Sequence, residues 1–340
     1  VGLRRCLWLK ARQSLGTVLP VAGLYALGSD LDVVVVDLGP ARFRATGAIL
    51  PEGDLDQLRA ADAIFAGAPP AGPVAAPRGT LEHGIIFRIR RELDLYVNLR
   101  PFTGRGADVA VVRENTEGAY IGEGGVLRAG TPQAVATQGS ITTAFGVERC
   151  ARYAFALAGS RRGKVTLVHK VNVLTYAGEV WTDTVDRVRL EHPAVECDYA
   201  DVDAACVQLI EDPSRFDVIL TDNLFGDVIS DVAGTACGAL ARSGSADLNP
   251  DAALTSLFEP LHAAAAQLTS VPPDQVDPRG AYAAAALLLR HRGETATART
   301  LEEALRAPDV LRPSTAATER AVLAEYGRLQ GGAADVAPTP

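Results

Sequence analysis

Asp227 and Asp231, in the segment Asn223-Leu-Phe-Gly-Asp-Val-Ile-Ser-Asp, are four residues apart, so a helix there projects both carboxylates from one face about one turn apart. Like charges so placed repel unless a cation sits between them. Hard oxygen donors suit Mg2+ or Mn2+, which complete their shells with water and substrate oxygens. A solvated acidic helix face is the plainer alternative. Upstream, Arg90, Arg100, Arg113 and Tyr120 lie in segments that read as strand ends. Guanidinium forks donate paired hydrogen bonds to carboxylates, so three that converge hold an acid with two or more carboxylates. Arginine is abundant here, however, and any one alone reads equally as a surface charge. Lys170, in Val168-His-Lys-Val-Asn172, is one of only three lysines against thirty arginines. It follows an apolar strand, where a desolvated or cation-flanked amine is tuned toward a general base.

The elements that must carry these groups are legible as alternating patterns. Short, mostly β-branched clusters at 33–36, 63–65, 109–112, 165–168 and 218–220 read as buried strands, and amphipathic stretches at 55–62, 147–158, 180–190 and 281–292 read as helices. Strands alternating with helices predict an α/β architecture. Residues 67–79 read as a surface loop and 331–340 as a frayed tail.

Composition narrows the function. The 340 residues suggest about two domains. A net charge of −8 argues against nucleic acid, and no apolar run exceeds the nine residues 281–289, too few to span a bilayer, so a cytoplasmic protein is expected. Five dispersed cysteines offer neither a disulfide framework nor a Cys-x-x-Cys motif. The lack of methionine suggests that Val1 is not the natural start. Gly122 and Gly124 are followed by Leu127 where a dinucleotide turn needs a third glycine, and 159–164 is one residue short of a P-loop. Nucleophile-elbow and zinc-protease motifs are absent.

Taken together, these segments resemble the β-decarboxylating dehydrogenase family of isocitrate, isopropylmalate and tartrate/D-malate dehydrogenases. The match is densest over 85–262 and nearest the tartrate/malate branch in Arg88-Ile-Arg-Arg-Glu and Arg113-Glu-Asn-Thr-Glu-Gly. The resemblance implies a two-domain α/β fold of the isopropylmalate dehydrogenase type, distinct from the Rossmann fold. Residues 1–95 with 239–340 would form the large domain. Residues 96–238 would form the smaller, dimerising domain that carries much of the substrate and metal site. It also implies a homodimer with shared active sites. Arg90, Arg100 and Arg113 would then grip a small carboxylic-acid substrate, and Tyr120 would protonate the enolate carbon. Lys170 from the partner subunit would take the hydroxyl proton, with Asn172 beside it. Asp227, Asp231 and the partner's Asp203 would hold Mg2+ or Mn2+, Asp201 being a rival for the third position. Glu259 and His262 would lie on the cofactor side.

Three cofactor segments depart from the family pattern together. Residues 12–18 keep only Leu15 and Gly16 of a glycine-rich loop. Glu259-Pro-Leu-His262 runs on into Ala263-Ala-Ala-Ala-Gln267, and Val276-Asp277-Pro278 replaces an amide with a carboxylate. The sequence therefore predicts metal-dependent decarboxylation of a malate- or tartrate-type di-acid without the hydride step. Ordinary NAD-dependent oxidative decarboxylation is one alternative, and a non-catalytic subunit of an active paralogue is another.

Overall fold

The computed structural model describes residues 5–10, 32–67, 79–250, 255–261, 275–307, 310–311 and 313–330. In chain order the elements begin β1 (Arg5–Lys10), β2 (Asp32–Asp37), α1 (Pro40–Thr46), α2 (Glu52–Arg59), β3 (Ala63–Ala66), α3 (Thr80–Gly84) and α4 (Ile86–Glu92). They continue as β4 (Val97–Gly104), β5 (Ala107–Glu114), β6 (Gly124–Leu127), β7 (Val135–Gln138), α5 (Ala144–Gly159), β8 (Lys164–His169) and α6 (Thr175–Arg189). Next come β9 (Glu196–Asp201), α7 (Val202–Glu211), β10 (Val218–Thr221) and α8 (Asn223–Ala236). The chain ends with β11 (Gly244–Leu248), β12 (Leu257–Pro260), α9 (Arg279–His291), α10 (Thr295–Arg306) and α11 (Thr315–Leu329). Each of the five β-branched clusters lies in a strand, and each of the four amphipathic stretches overlaps a helix. Most of the expected 67–79 loop and all of the expected 331–340 tail fall outside the described residues.

The chain divides into two compact units. One comprises Val1–Ile85, Leu240–Ala246 and Thr255–Pro340, and the other Ile86–Ala239 and Asp247–Leu254. The sequence reading sets its boundaries at 95/96 and 238/239. Helix α4 goes with the second unit, where Leu95 N donates to Arg90 O at 2.8 Å and ties the helix end to the start of β4.

In the first unit β1 pairs in parallel with β2 and β3, and β12 in parallel with β3. Gly244 lies so close to Ala284 of α9 that a Cβ would meet its backbone N at 2.4 Å, so only glycine admits that helix. In the second unit the strand order is β4-β5-β10-β8-β9, with β4 antiparallel and the rest parallel. Helices α5 and α8 both pack on β5, which is why that strand reads as a continuous apolar run. Val147, Cys150, Ala151, Ala154, Phe155 and Ala158 form the buried stripe of α5. Fully burying a side chain the size of Val147 or Phe155 contributes about 1.5–3 kcal/mol. The α5 N-cap is built by Thr143, whose Oγ1 accepts from Gly146 N at 3.0 Å, while Glu117 accepts from Thr143 N at 2.8 Å. Among the described residues no helix is long and apolar enough to cross a membrane.

Candidate active site

Strands β5, β10, β8 and β9 are parallel, so their carboxyl ends share one edge of the second unit, and β4 starts there. Such an edge is where α/β sheets hold ligands. The chain crossing it carries Arg113 near the end of β5, Asn223 opening α8 after β10, Lys170 just past β8, Asp201 ending β9 and Asp203 in the first turn of α7.

Arg113 is 1% exposed. Its Nε and Nη2 donate to Asn223 Oδ1 at 3.0 and 2.7 Å, and its Nη1 donates to Asp227 Oδ1 at 2.6 Å. Arg100 Nη1 donates to Ser230 Oγ at 2.7 Å, and its Nη2 lies 3.4 Å from Asp227 Oδ1. The Tyr120 hydroxyl donates to Asp227 Oδ2 at 3.1 Å, and the Arg113 guanidinium stands 5.0 Å from the centre of the Tyr120 ring. Arg90 Nε donates to the buried Asp247 Oδ2 at 2.9 Å. The Arg90 guanidinium also lies 5.9 Å from the Phe87 ring, which meets Tyr120 edge-on at 5.2 Å. Arg100, Arg113 and Tyr120 are thus brought together around the Asp227 carboxylate, and Arg90, held by Asp247, joins them through Phe87.

Their charges act on one another. Burial, reinforced by Arg100, depresses Arg113 to about 10. Burial opposes ionisation of Asp227, but Arg113 and Arg100 outweigh it and hold the carboxyl below its ordinary value. Burial, then the Asp227 charge, raises the Tyr120 phenol, which therefore keeps its proton at neutral pH and is available as an acid.

Asp227 and Asp231 do lie on one helix, as their spacing predicts. Partial burial raises the Asp231 carboxyl, and the neighbouring negative charge of Asp227 adds to the shift. Two carboxylates that oppose each other's ionisation form a donor set suited to a hard divalent cation. They make only part of a shell, because among the described residues no three His, Cys, Asp or Glu side chains converge as a metal would need.

Asp203, the expected third ligand, is 71% exposed and accepts from Lys170 Nζ at 2.6 Å, with Asp201 Oδ2 3.6 Å from the same nitrogen. The desolvated or cation-flanked lysine expected from sequence is therefore corrected: within its own chain Lys170 is anion-flanked. The hydrogen bond to Asp203 raises its pKa, with Asp201 adding, so the amine holds its proton. The reason is the edge geometry, which sets the end of β8 beside the end of β9. Asn172 is exposed in the turn after Lys170.

Sequence reasoning passed over a buried pair beside this cluster. His169 is fully buried, with Nε2 3.7 Å from Asp222 Oδ2, and Asp222 also caps α8 by accepting from Phe225 N at 2.7 Å. Burial lowers His169 from 6.5 to about 4 and raises Asp222 from 3.8 to about 6. A histidine held neutral stabilises the fold above pH 6.5 and loses that contribution as pH falls through 4. A carboxyl held protonated stabilises below pH 3.8 and loses that contribution as pH rises through 6. The two contributions oppose each other, each worth about 3 kcal/mol. Asp222→Asn keeps an N-cap and removes one of them. Between pH 6.5 and 4 it should therefore lose about 3 kcal/mol more stability than the wild type in urea titrations. Identical losses for the two proteins would refute this account of the pair.

A family model described as isocitrate/isopropylmalate dehydrogenase matches residues 17–317. The chain belongs to the isocitrate/isopropylmalate dehydrogenase family. It is 45% identical over 295 residues to the 3-isopropylmalate dehydrogenase of Rhodococcus opacus, covering 84% of this chain and 87% of that one. It is 46% identical over 282 residues to the enzyme of the same name from Mycobacterium tuberculosis, covering 80% and 83%. Its fold matches the crystal structure of isocitrate dehydrogenase from Methylococcus capsulatus with a TM-score of 0.82 at 29% identity, over 95% of this chain and 99% of that one. A β-decarboxylating dehydrogenase from Thermococcus kodakarensis matches at 0.79 and 28%, over 99% and 100%.

Of the segments that the family resemblance assigns to the cofactor, 12–18 and 262–267 lie outside the described residues, and His262 and Gln267 with them. Glu259 is half-buried in β12. Asp277 accepts from Arg279 N at 3.0 Å and from the Arg279 guanidinium, the shortest bond being 2.6 Å. The carboxylate that replaces an amide in this third segment is therefore paired within its own chain. The residues that sequence reasoning missed are the acceptors that hold the arginines: Asp247, Asn223 and Ser230. Only the latter two carried a signal, a place on the same helical face as Asp227.

Proposed function

We propose that this chain is one subunit of a homodimeric, divalent-metal- and NAD-dependent dehydrogenase that oxidises and decarboxylates a malate bearing an apolar group on its third carbon. The observation that carries the reading is the convergence of Arg100, Arg113 and Tyr120 on the helix that bears Asp227 and Asp231, with Arg90 beside them across Phe87. The relatives named 3-isopropylmalate dehydrogenase, at 45% identity over most of the chain, support hydride transfer over the redox-neutral reading. They also favour the isopropylmalate branch over the tartrate/malate branch. Paired with Arg279, Asp277 no longer argues against a dinucleotide on charge grounds. The filled acid-base positions speak against a non-catalytic subunit.

In this reading the three arginines bind the substrate carboxylates, and Phe87 offers an apolar surface beside them. A cation held by Asp227 and Asp231, with Asp203 of a second copy, supplies Lewis-acid polarisation of the 2-oxygen. NAD supplies the hydride acceptor. Lys170 of the second copy, with Asn172 beside it, would take the hydroxyl proton after first giving up its own to solvent, which requires that Asp203 no longer accept from it. Tyr120 delivers a proton to the third carbon after carbon dioxide leaves. Support for a second copy comes from exposed apolar side chains on the adjoining helices α7 and α8, namely Val207, Ile210, Leu224 and Val228, and on the β6–β7 hairpin.

The test is an assay of purified protein with 3-isopropylmalate, NAD and Mn2+. The near-ultraviolet absorbance of reduced nicotinamide should rise in step with carbon dioxide release, and a chelator should stop both. Carbon dioxide released from a 2-keto-3-carboxy acid without nicotinamide, with no reduced cofactor from any hydroxy acid, would return the redox-neutral reading.

A further inference from the structure

Helix α8 presents three acceptors to the strands that carry the arginines. Asn223, Asp227 and Ser230 are spaced by four and three residues and so form one stripe. Asn223 and Ser230 are almost completely buried. The amide oxygen of Asn223 takes two hydrogen bonds from Arg113, and the hydroxyl of Ser230 takes one from Arg100 at 2.7 Å while donating to Asp227 O at 3.0 Å. The orientation of the Asn223 amide is fixed from its other end, where Nδ2 donates to Glu117 O at 2.9 Å. Behind it Gly118 has φ +71°, and a Cβ there would come within 3.1 Å of Asn223 Cβ, so the asparagine is wedged.

Arg90 shows the contrast. Its Nε is held by Asp247, a fully buried carboxylate that also accepts from Asn98 Nδ2 at 2.7 Å. A carboxylate orients a guanidinium and cancels its charge, whereas an amide or hydroxyl orients it and leaves the charge in place. Of these three residues only Asp227 is an anion, and Asp231, one turn further on, adds a second negative charge that acts on both arginines. The single charge of Asp227 is shared between Arg100 and Arg113, and Asp227 is also a candidate metal ligand.

We propose that Asn223 and Ser230 are positioning residues for substrate binding, holding Arg113 and Arg100 through neutral acceptors so that both guanidiniums keep their charge for the substrate carboxylates. This rests on the reading above that these arginines grip the acid.

The discriminating comparison is Asn223→Asp against Asn223→Ala. Both lose the bond to Glu117 O, but only the first keeps an acceptor on Arg113 and adds a negative charge. Titration of malate and of 3-isopropylmalate into Mn2+-loaded protein should show Asn223→Asp binding both acids at least about tenfold more weakly than Asn223→Ala. Mn2+ alone should bind each variant within about threefold of the wild type. Ser230→Ala, which deletes the bond to Arg100 and the short-range bond to Asp227 O within the helix, at little risk to folding, should raise KM about three- to tenfold and change kcat less.

A role that is only structural would lower the melting temperature of Asn223→Ala and leave its acid affinity equal to or worse than that of Asn223→Asp. That result, or an unchanged KM in Ser230→Ala, overturns the proposal. Malate separates the two readings. A wild type that binds malate but not 3-isopropylmalate has the wrong substituent only, and the comparison stands on malate. A wild type that binds Mn2+ and neither acid overturns both.

Discussion

Lys170→Ala and Asp227→Asn, each inactive alone, should recover about a quarter of wild-type activity when the two are unfolded together and refolded as a mixture. Within one chain the site residues fall into two groups. Lys170 sits with Asp201 and Asp203, while Asp227 sits with Arg100, Arg113 and Tyr120. If each site is assembled from one group of each subunit, a mixed dimer has one site with both defects and one with neither. Random pairing makes half of the dimers mixed, and half of their sites are intact. Each parent variant should lose at least about a thousandfold in kcat, because removing a general base or a charged ligand at the reacting oxygen has that order of effect. Steady-state rates before and after mixing decide the matter. Recovery absent from a mixture that still forms dimers would mean that Lys170 serves its own chain, and the anions around it would then have to be explained as part of that site.

Gly226→Ala should cost at least about a hundredfold in kcat/KM with little change in melting temperature. A Cβ at Gly226 would lie 2.5 Å from Arg113 Cγ, 2.8 Å from its Cβ and 2.9 Å from its Cδ. Those atoms are the stem of a side chain with no exposed surface to retreat into, so the guanidinium must shift by a large fraction of an ångström. Displacing a substrate-positioning group by that distance accounts for the expected loss. Stability moves less because two effects oppose: overpacking costs about 1–3 kcal/mol, while replacing a helical glycine by alanine returns about 1 kcal/mol. Kinetics and a thermal melt on the same preparation test this. Near-wild-type kcat/KM at an unchanged melting temperature would show that Arg113 can move without consequence, and would remove it from the substrate grip.

The sequence made legible what depends on local periodicity. Val109–Val112 is apolar without alternation because helices cover both faces of its strand, and the four-residue interval between Asp227 and Asp231 becomes one helical face as soon as α8 forms. What lay beyond it depends on tertiary register. Asp247 holds Arg90 from 157 residues away, and nothing in Ser245-Ala-Asp-Leu marks that aspartate as different from any other. Lys170 looked like a tunable base because its own strand is apolar. Its carboxylate neighbours arrive some thirty residues later, from the end of the adjacent strand and the first turn of the helix after it. Strand β9, with its polar Glu196-Cys-Asp-Tyr-Ala-Asp, shows no buried-strand pattern because it is an edge strand with exposed side chains. The three altered cofactor segments, taken together, pointed away from hydride transfer. For Asp277 the compensating Arg279 stands only two residues on and was there to be read.

The spacing of acceptors along α8 also limits how this segment can change over evolutionary time. Inserting or deleting one residue between Asn223 and Ser230 would rotate every later side chain by about 100° around the helix axis, carrying Asp227 or Ser230 off the face that meets the arginines. Substitutions can be sampled there one at a time, but changes of length cannot, since each would uncouple two contacts at once. The β6–β7 hairpin, whose strand residues are all exposed, carries no such phase relation between its side chains and the site. Length variation among descendants of this chain should therefore accumulate in connections of that kind, while the seven-residue interval between Asn223 and Ser230 is inherited as a block.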